Sequence, residues 1–418
     1  MKSAAMERKQ RSSLVFTSLA HFTNDGNFFL FPLLMRYYAT VNIDFGILAV
    51  GAVIYEVISG LLSPFVGQLS DRTGMHAKLL SLGLFLSGVS IVMFSIPFFY
   101  SALSSLSILL GTVFFGIGIS FYHPLGGSIL SFAFRKGRYG SALGMNGSMG
   151  SLGRTVIPLV LGLIVPVSGP SYGLIYVAIY EFITSFLVFA GLRWFSGTQT
   201  NPPKEDYTDD SKTLITRKYN KITRALTSVI FLRSVFTGGV VIFIPYYIGY
   251  IFDLNPYSSL PNFIVSAAFL APIFGQPIFG MLTERKGGKF TVSISSLLAV
   301  AFMALFLLTH LVYLMIIFLG AFAFAVFSGF PVLMGYISQV VPGEILASSN
   351  GKVWGIGGTL GSAVGIVIFY LIYDFLHLSP GISMWFLVLV GFVSLLLLPM
   401  LPSEKKMPGK GLTSPHPQ

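Results

Sequence analysis

The chain has 418 residues and a net charge of +11, yet only 10% of its residues are charged while 54% are hydrophobic. An ordinary soluble domain carries about 25% charged residues, and a chain with a mean hydropathy of +0.79 cannot bury its apolar surface and keep a wet exterior. Its solvent is lipid, and with no cysteine disulfides and thiolate metal sites are excluded.

Apolar stretches of about 20 residues, the length that crosses some 30 Å of hydrocarbon, recur along the chain. They fall at 13–37, 45–69, 77–98, 103–134, 141–166 and 171–195, then at 226–252, 259–282, 290–310, 312–341, 350–373 and 380–401. The first is too long and too polar at its centre for a cleaved signal peptide. The one long hydrophilic segment, 196–225, is acidic and then basic, and divides six stretches from six. The expected fold is therefore an all-α, multi-pass membrane protein. Residues 1–195 form one six-helix bundle, 196–225 a linker, and 226–418 a second six-helix bundle ending in a short tail.

Charge orients these stretches. Of the 26 Lys and Arg, only Arg36, Arg154 and Arg233 lie within a stretch, apart from Lys352 and Lys78 at stretch ends and Arg193 at the edge of the linker. The loops of one face carry none at all. By the positive-inside rule the basic face, with both termini, is cytoplasmic. The high net charge follows from this topology and does not indicate a nucleic-acid partner. The expected setting is the cytoplasmic membrane.

In chain order, the polar residues inside the stretches are the candidate functional groups, because an ionisable side chain at bilayer depth is costly unless it faces a cavity or a partner. The first stretch contains "HFTNDG", which holds His21, Asn24 and Asp25. Four-residue spacing sets His21 and Asp25 on one helical face, where imidazole and carboxylate can bond. Asp25 lies about 12 residues in, near mid-membrane, as a proton-carrying group or as a structural clamp. Glu56 in the second stretch has similar depth and reads as a second proton site or a partner for Arg154. His123 precedes Pro124 in the fourth stretch, where proline bends a helix, and it can line a cavity and carry a proton. Arg154 in the fifth stretch matches the depth of Asp25; it can hold an anionic substrate by paired hydrogen bonds or form a buried ion pair that fixes packing. Glu181 and Arg233 are weaker candidates, Glu181 on a peripheral helix and Arg233 snorkelling to the cytoplasmic face. Tyr246, Tyr247 and Tyr250 suit an interfacial belt or a gate, and Gly357, Gly361 and Gly365 form a small-residue stripe for close helix contact.

The halves repeat. "SPFVGQLSDRTGMHAK" (63–78) aligns with "GQPIFGMLTERKGGKF" (275–290) at an offset of about 213 residues. The alignment pairs Gly67 with Gly280, Asp71 with Glu284, Arg72 with Arg285 and Gly74 with Gly287. Gly147, Gly150 and Gly153 likewise match Gly355, Gly358 and Gly361.

"GQLSDRTG" resembles the G-x-L-x-D-R-x-G signature of the major facilitator superfamily, and "GMLTERKG" resembles its second-half copy. The usual basic pair after the signature glycine is replaced by Met75 and His76. Within the superfamily, "HFTND", "FYHP" and "GSALGMNGSMGSLG" resemble the fosmidomycin-resistance branch of drug exporters. The arginine of many drug/proton antiporters would fall at Thr112, and the antiporter glycine–proline pair is broken, since Gly153 is followed by Arg154.

The resemblance implies two pseudo-symmetric six-helix bundles that alternate access around a central site. It also implies conformational latch loops at Gly67, Asp71, Arg72, Gly74 and at Gly280, Glu284, Arg285, Gly287. In the outward-facing state Asp71 would meet the start of the eleventh helix, where the helix dipole favours an anion. The chain is then a monomeric secondary transporter in the lipid bilayer, moving a small molecule with protons or another coupling ion. Proton-coupled export of a drug or metabolite is the leading reading, and uptake of an organic anion by symport the alternative. No enzyme motif, cofactor signature or metal-ligand spacing is present.

Overall fold

The computed structural model describes residues 2–134, 139–195, 209–328, 332–333, 336–337, 340–342 and 349–402. Among them there is no strand. The principal α-helices are α1 (Lys2–Gly26), α2 (Leu30–Tyr37), α3 (Phe45–Thr73), α4 (His76–Ser95), α5 (Ser104–Ile119), α6 (Tyr122–Ala133) and α7 (Tyr139–Leu192). After the centre come α8 (Asp209–Ile251), α9 (Leu260–Ala268), α10 (Ala271–Lys286), α11 (Gly288–Leu308), α12 (Val312–Phe327), α13 (Gly361–Tyr370) and α14 (Pro380–Leu396).

Nine segments among the described residues are long and apolar enough to cross a bilayer, and α12 is a shorter apolar helix. One of the nine, Ser141–Leu192, makes two passes. Gly169 breaks it at φ 74°, ψ 164°, a conformation glycine adopts without steric cost. The first expected stretch is divided between α1 and α2. With these, the twelve stretches of the sequence are accounted for. Of the expected linker, residues 196–208 lie outside the described residues, and 209–225 are helical as the start of α8. The basic loop at 135–138 and the tail beyond 402 also lie outside them.

Proline explains the interruptions. Pro32 has no N–H to give to Phe28, and a 3-10 turn, Asn27–Phe29, separates α1 from α2. Pro124 likewise leaves the carbonyl of Ser120 without its helical donor, between α5 and α6. Ser63 Oγ lies 2.9 Å from that carbonyl and 2.8 Å from Ser59 O, so its one hydrogen is shared between the two acceptors, in line with the rule that backbone groups in lipid must be satisfied internally.

The sequence repeat is a structural repeat. Gly74 ends α3 at φ 67° with its N–H on Ser70 O at 2.7 Å, and Gly287 ends α10 at φ 86° with its N–H on Thr283 O at 3.0 Å. Both donors and both acceptors are separated by the same offset. Gly357, Gly361 and Gly365 take one turn each: a Cβ on any of them would meet the carbonyl of Thr227, Phe231 or Val235 on α8. Gly153 makes the corresponding approach to Phe22 O on α1. This stripe is not uniformly α-helical, since Lys352–Leu360 forms a π-helix ahead of α13.

Candidate functional site: a carboxylate held by two imidazoles and a guanidinium

The centre of the site is Asp25, 4% exposed, one residue before the end of α1. The expected i, i+4 contact is made: His21 Nε2 lies 3.0 Å from Asp25 Oδ2. Arg154 Nη2 donates to the same oxygen at 2.5 Å. Asn24 Nδ2 donates to Oδ1 at 3.0 Å, and His123 Nε2 stands 3.8 Å from Oδ1. Three spans therefore converge on one carboxylate. Gly150 makes room for it, because a Cβ there would collide with the His21 ring and crowd Asp25.

His21 is held from the other side. Its Nδ1 lies 2.8 Å from the backbone carbonyl of Asn146 and 3.0 Å from Asn146 Oδ1. Tyr122 donates its hydroxyl to that same Oδ1 at 2.6 Å and stacks on the imidazole with centroids 4.3 Å apart. A backbone carbonyl cannot donate, so Nδ1 carries a hydrogen. A neutral ring would then turn the lone pair of Nε2 toward the lone pairs of Asp25 Oδ2. Contact at 3.0 Å requires a proton between them, on Nε2 or on Oδ2. The pair is drawn together with one proton more than neutral imidazole and bare carboxylate would hold.

Arg154 is incompletely satisfied. Its guanidinium lies between Phe28 (5.5 Å) and Phe327 (5.1 Å), one ring from each half of the chain, and Nε and Nη1 are buried without a hydrogen-bond partner. Cation–π contact offsets part of the desolvation, but two donors remain open to an acceptor. His21, Asp25 and His123 present ligand atoms within 4.8 Å of one another, a set that would suit a metal cation. The Arg154 guanidinium on the same carboxylate opposes a divalent charge there, and the donor set fits a proton better.

The other expected residues fall elsewhere. Glu56 is not the partner of Arg154, which pairs with Asp25; no ion pair of Glu56 occurs among the described residues. Glu181 is fully buried rather than peripheral, bonded to Asn27. Arg233 does not simply snorkel: Nη2 donates to Ser295 at 3.0 Å, and Nε is buried. Thr112, fully buried on α5, lies against Gly51 of α3.

At the end of the bundle away from the termini, the halves are joined by contacts that sequence reasoning passed over. Arg36, 4% exposed, donates to Asn255 O at 2.9 Å and Ser258 O at 3.3 Å. Tyr257 donates to Thr40 Oγ1 at 2.8 Å, Asn262 Nδ2 to Pro158 O at 3.1 Å, and Ser259 Oγ to Gly162 O at 2.5 Å. Phe45 packs against Phe243, Tyr246, Phe369 and Tyr373. Tyr246 thus belongs to this seal, while Tyr250 is exposed and Tyr247 is buried against Phe306. An arginine at the end of an apolar stretch and the tyrosine Tyr246 were the visible signals.

At the other end Asp71 and Arg72 of the first latch loop face solvent. Asp71 is half exposed and meets His76 Nε2 at 3.6 Å. It lines a cleft of about 480 Å³ with Gly67, Ser70, Pro124 and Ser128. Arg285 is exposed, the Glu284 side chain lies outside the described residues, and a Cβ on Gly280, Gly351 or Gly355 would touch nothing within 4 Å among the described residues.

Comparison with known proteins agrees with this architecture. The family model of the Major Facilitator Superfamily matches residues 14–262 and 226–416. A protein described as an uncharacterized MFS-type transporter, YfnC of Bacillus subtilis (strain 168), is 25% identical over 406 residues, which cover 94% of this chain and 93% of that protein.

Proposed function

From the premise that this chain belongs to the Major Facilitator Superfamily, and is thereby a multi-pass secondary transporter, we propose that it couples proton movement through His21 and Asp25 to export of a small organic solute across the cytoplasmic membrane. The observation that carries this reading is the His21–Asp25 contact, whose geometry demands a proton. Neither residue can release that proton without leaving two lone pairs opposed, so deprotonation drives the pair apart. Arg154, then freed of competition for Oδ2, tightens on the carboxylate through Nη2, and an acceptor on the solute that engages Nε and Nη1 of the guanidinium so held favours the deprotonated pair and opposes the proton, the sign that antiport requires.

Proton and solute thus act on one carboxylate from opposite sides, the thermodynamic requirement for coupling. Two bundles, 1–195 and 226–418, rock about this site. With both termini cytoplasmic, the sealed end is external and the exposed loop at Asp71 internal, an inward-facing conformation. Asp71 would then engage the start of the eleventh helix only when the transporter faces outward.

Everted and right-side-out membrane vesicles with an imposed proton gradient test the proposal. A panel of small carboxylates and phosphonates is offered, with fosmidomycin included because "HFTND" and "FYHP" resemble that exporter branch. Export predicts uphill accumulation in everted vesicles and proton counterflow on solute addition. Accumulation in right-side-out vesicles with proton co-flow supports the symport alternative. Uphill transport that persists undiminished in Asp25→Asn excludes the pair as the coupling site.

A further inference from the structure

A second acid is sealed within the spans, outside the Asp25 cluster. Glu181, on the second pass of α7, is fully buried against α1 and α4; a Cβ on Gly88 of α4 would lie 3.2 Å from Glu181 Cβ. No Lys, Arg or His forms an ion pair with it among the described residues. Its polar partner is Asn27, 1% exposed, the first residue of the 3-10 turn that splits the first span. Asn27 Nδ2 donates to Glu181 Oε1 at 2.6 Å.

The other atom of each group is the informative one. Glu181 Oε2 and Asn27 Oδ1 are both buried and both lack a hydrogen-bond partner. A carboxylate in that position would leave two acceptors without a donor and an unpaired charge in a water-free interior, each a costly condition. One proton on Oε2 removes all three deficits, because the acid O–H can donate to Asn27 Oδ1 while the amide donates to Oε1. We infer that Glu181 holds a proton and closes an acid–amide ring with Asn27, a clasp that positions the break between α1 and α2 two residues from Asp25.

Among the described residues no donor reaches Glu181 Oε2. Tyr180 on the same helix is engaged with Thr23 at 2.6 Å. α4 contributes Gly88, which carries no side chain. On α1 and the first pass of α7, the charged groups His21, Asp25 and Arg154 are engaged with one another. Removing the proton puts a carboxylate oxygen against the Asn27 carbonyl, and the clasp opens. Glu181 is a positioning residue whose state follows pH independently of the coupling pair.

The test uses infrared spectroscopy of the full-length protein in lipid nanodiscs near neutral pH, in an Asp25→Asn background that removes any acid signal from that residue. A protonated-carboxyl C=O band is expected, and Glu181→Gln is expected to abolish it. Asn27→Leu should keep the band but shift it to higher frequency, since the hydroxyl loses its acceptor. Absence of a band that Glu181→Gln removes, or no shift in Asn27→Leu, overturns the inference. Amide hydrogen exchange at residues 26–31 tests the clasp. After correction for intrinsic rates, alkaline pH should speed exchange about tenfold in the parent, a local opening, and leave Glu181→Gln protected. Equal acceleration in both overturns the positioning role. Neither readout depends on a transported solute, so the inference stands or falls apart from the proposed coupling.

Discussion

His21 Nδ1 sits 2.8 Å from the backbone carbonyl of Asn146, a residue 125 positions away. That bond decides the chemistry of the opposite ring nitrogen. A side-chain partner could rotate to accept or donate; a peptide carbonyl can only accept. With Nδ1 committed to that carbonyl, Nε2 meets Asp25 with a proton between them, on the ring or on the carboxyl.

Asp25→Asn keeps the shape of the carboxylate and a hydrogen-bond acceptor but cannot ionise. Uphill transport should fall by at least about tenfold, equivalent to about 1.4 kcal/mol, while downhill solute exchange stays measurable. His21→Ala is the discriminating companion. If His21 shares the proton, this variant should also lose uphill transport; a mere displacement of the pH optimum would assign the proton to Asp25 alone.

Arg154→Lys separates charge from geometry. Lysine retains the attraction to Asp25 but loses the planar fork and the stacking between Phe28 and Phe327. Solute affinity should weaken about tenfold or more, read as a rise in the half-saturating concentration in counterflow. An unchanged value would mean that Arg154 serves Asp25 and does not touch the solute.

The seal between Thr40 and Tyr257 predicts a reversible lock. The chain has no cysteine, so Thr40→Cys with Tyr257→Cys can be bridged specifically by a short bifunctional thiol reagent. Bridging should arrest transport and reduction should restore it. Full transport by the bridged protein would show that this end need not open.

At the opposite end, Asp71→Asn should leave folding intact and move the population toward the inward-facing form, with lower turnover. Cysteine probes near Ser128, which lines the cleft beside Asp71, should then label faster. Unaltered labelling would argue against the latch.

Packing yields a contrast within one glycine series. Gly365→Ala drives a methyl into the carbonyl of Val235 and should cost about 1–3 kcal/mol, as overpacking does. Gly355→Ala meets open space and should be neutral. Thermal unfolding followed by intrinsic fluorescence measures both; equal effects would contradict the stripe.

What the sequence determined by itself was set by solvent and by period. Lipid demands about 20 apolar residues per pass, so the spans were legible, as was the bend at Pro124, where backbone chemistry acts locally; the breaks ahead of Pro32 and at Gly169 came from the structure. The internal repeat announced itself in residues 63–78 and 275–290 because the two copies carry matching residues at one offset, each ending in a glycine that the structure places at positive φ. His21 and Asp25 were readable as a pair because they lie one helical turn apart. Tertiary structure alone decided that Arg154 takes Asp25 rather than Glu56, that Asn146 dictates the His21 tautomer, and that Glu181 points inward to Asn27. It also turned Arg36 from a residue at a span end into the clamp on the Asn255–Ser258 loop. Each of these depends on the rotation of one helix against another, which is fixed by close packing at positions such as Gly150 and Gly153 and leaves no periodic trace in the residues that it brings together.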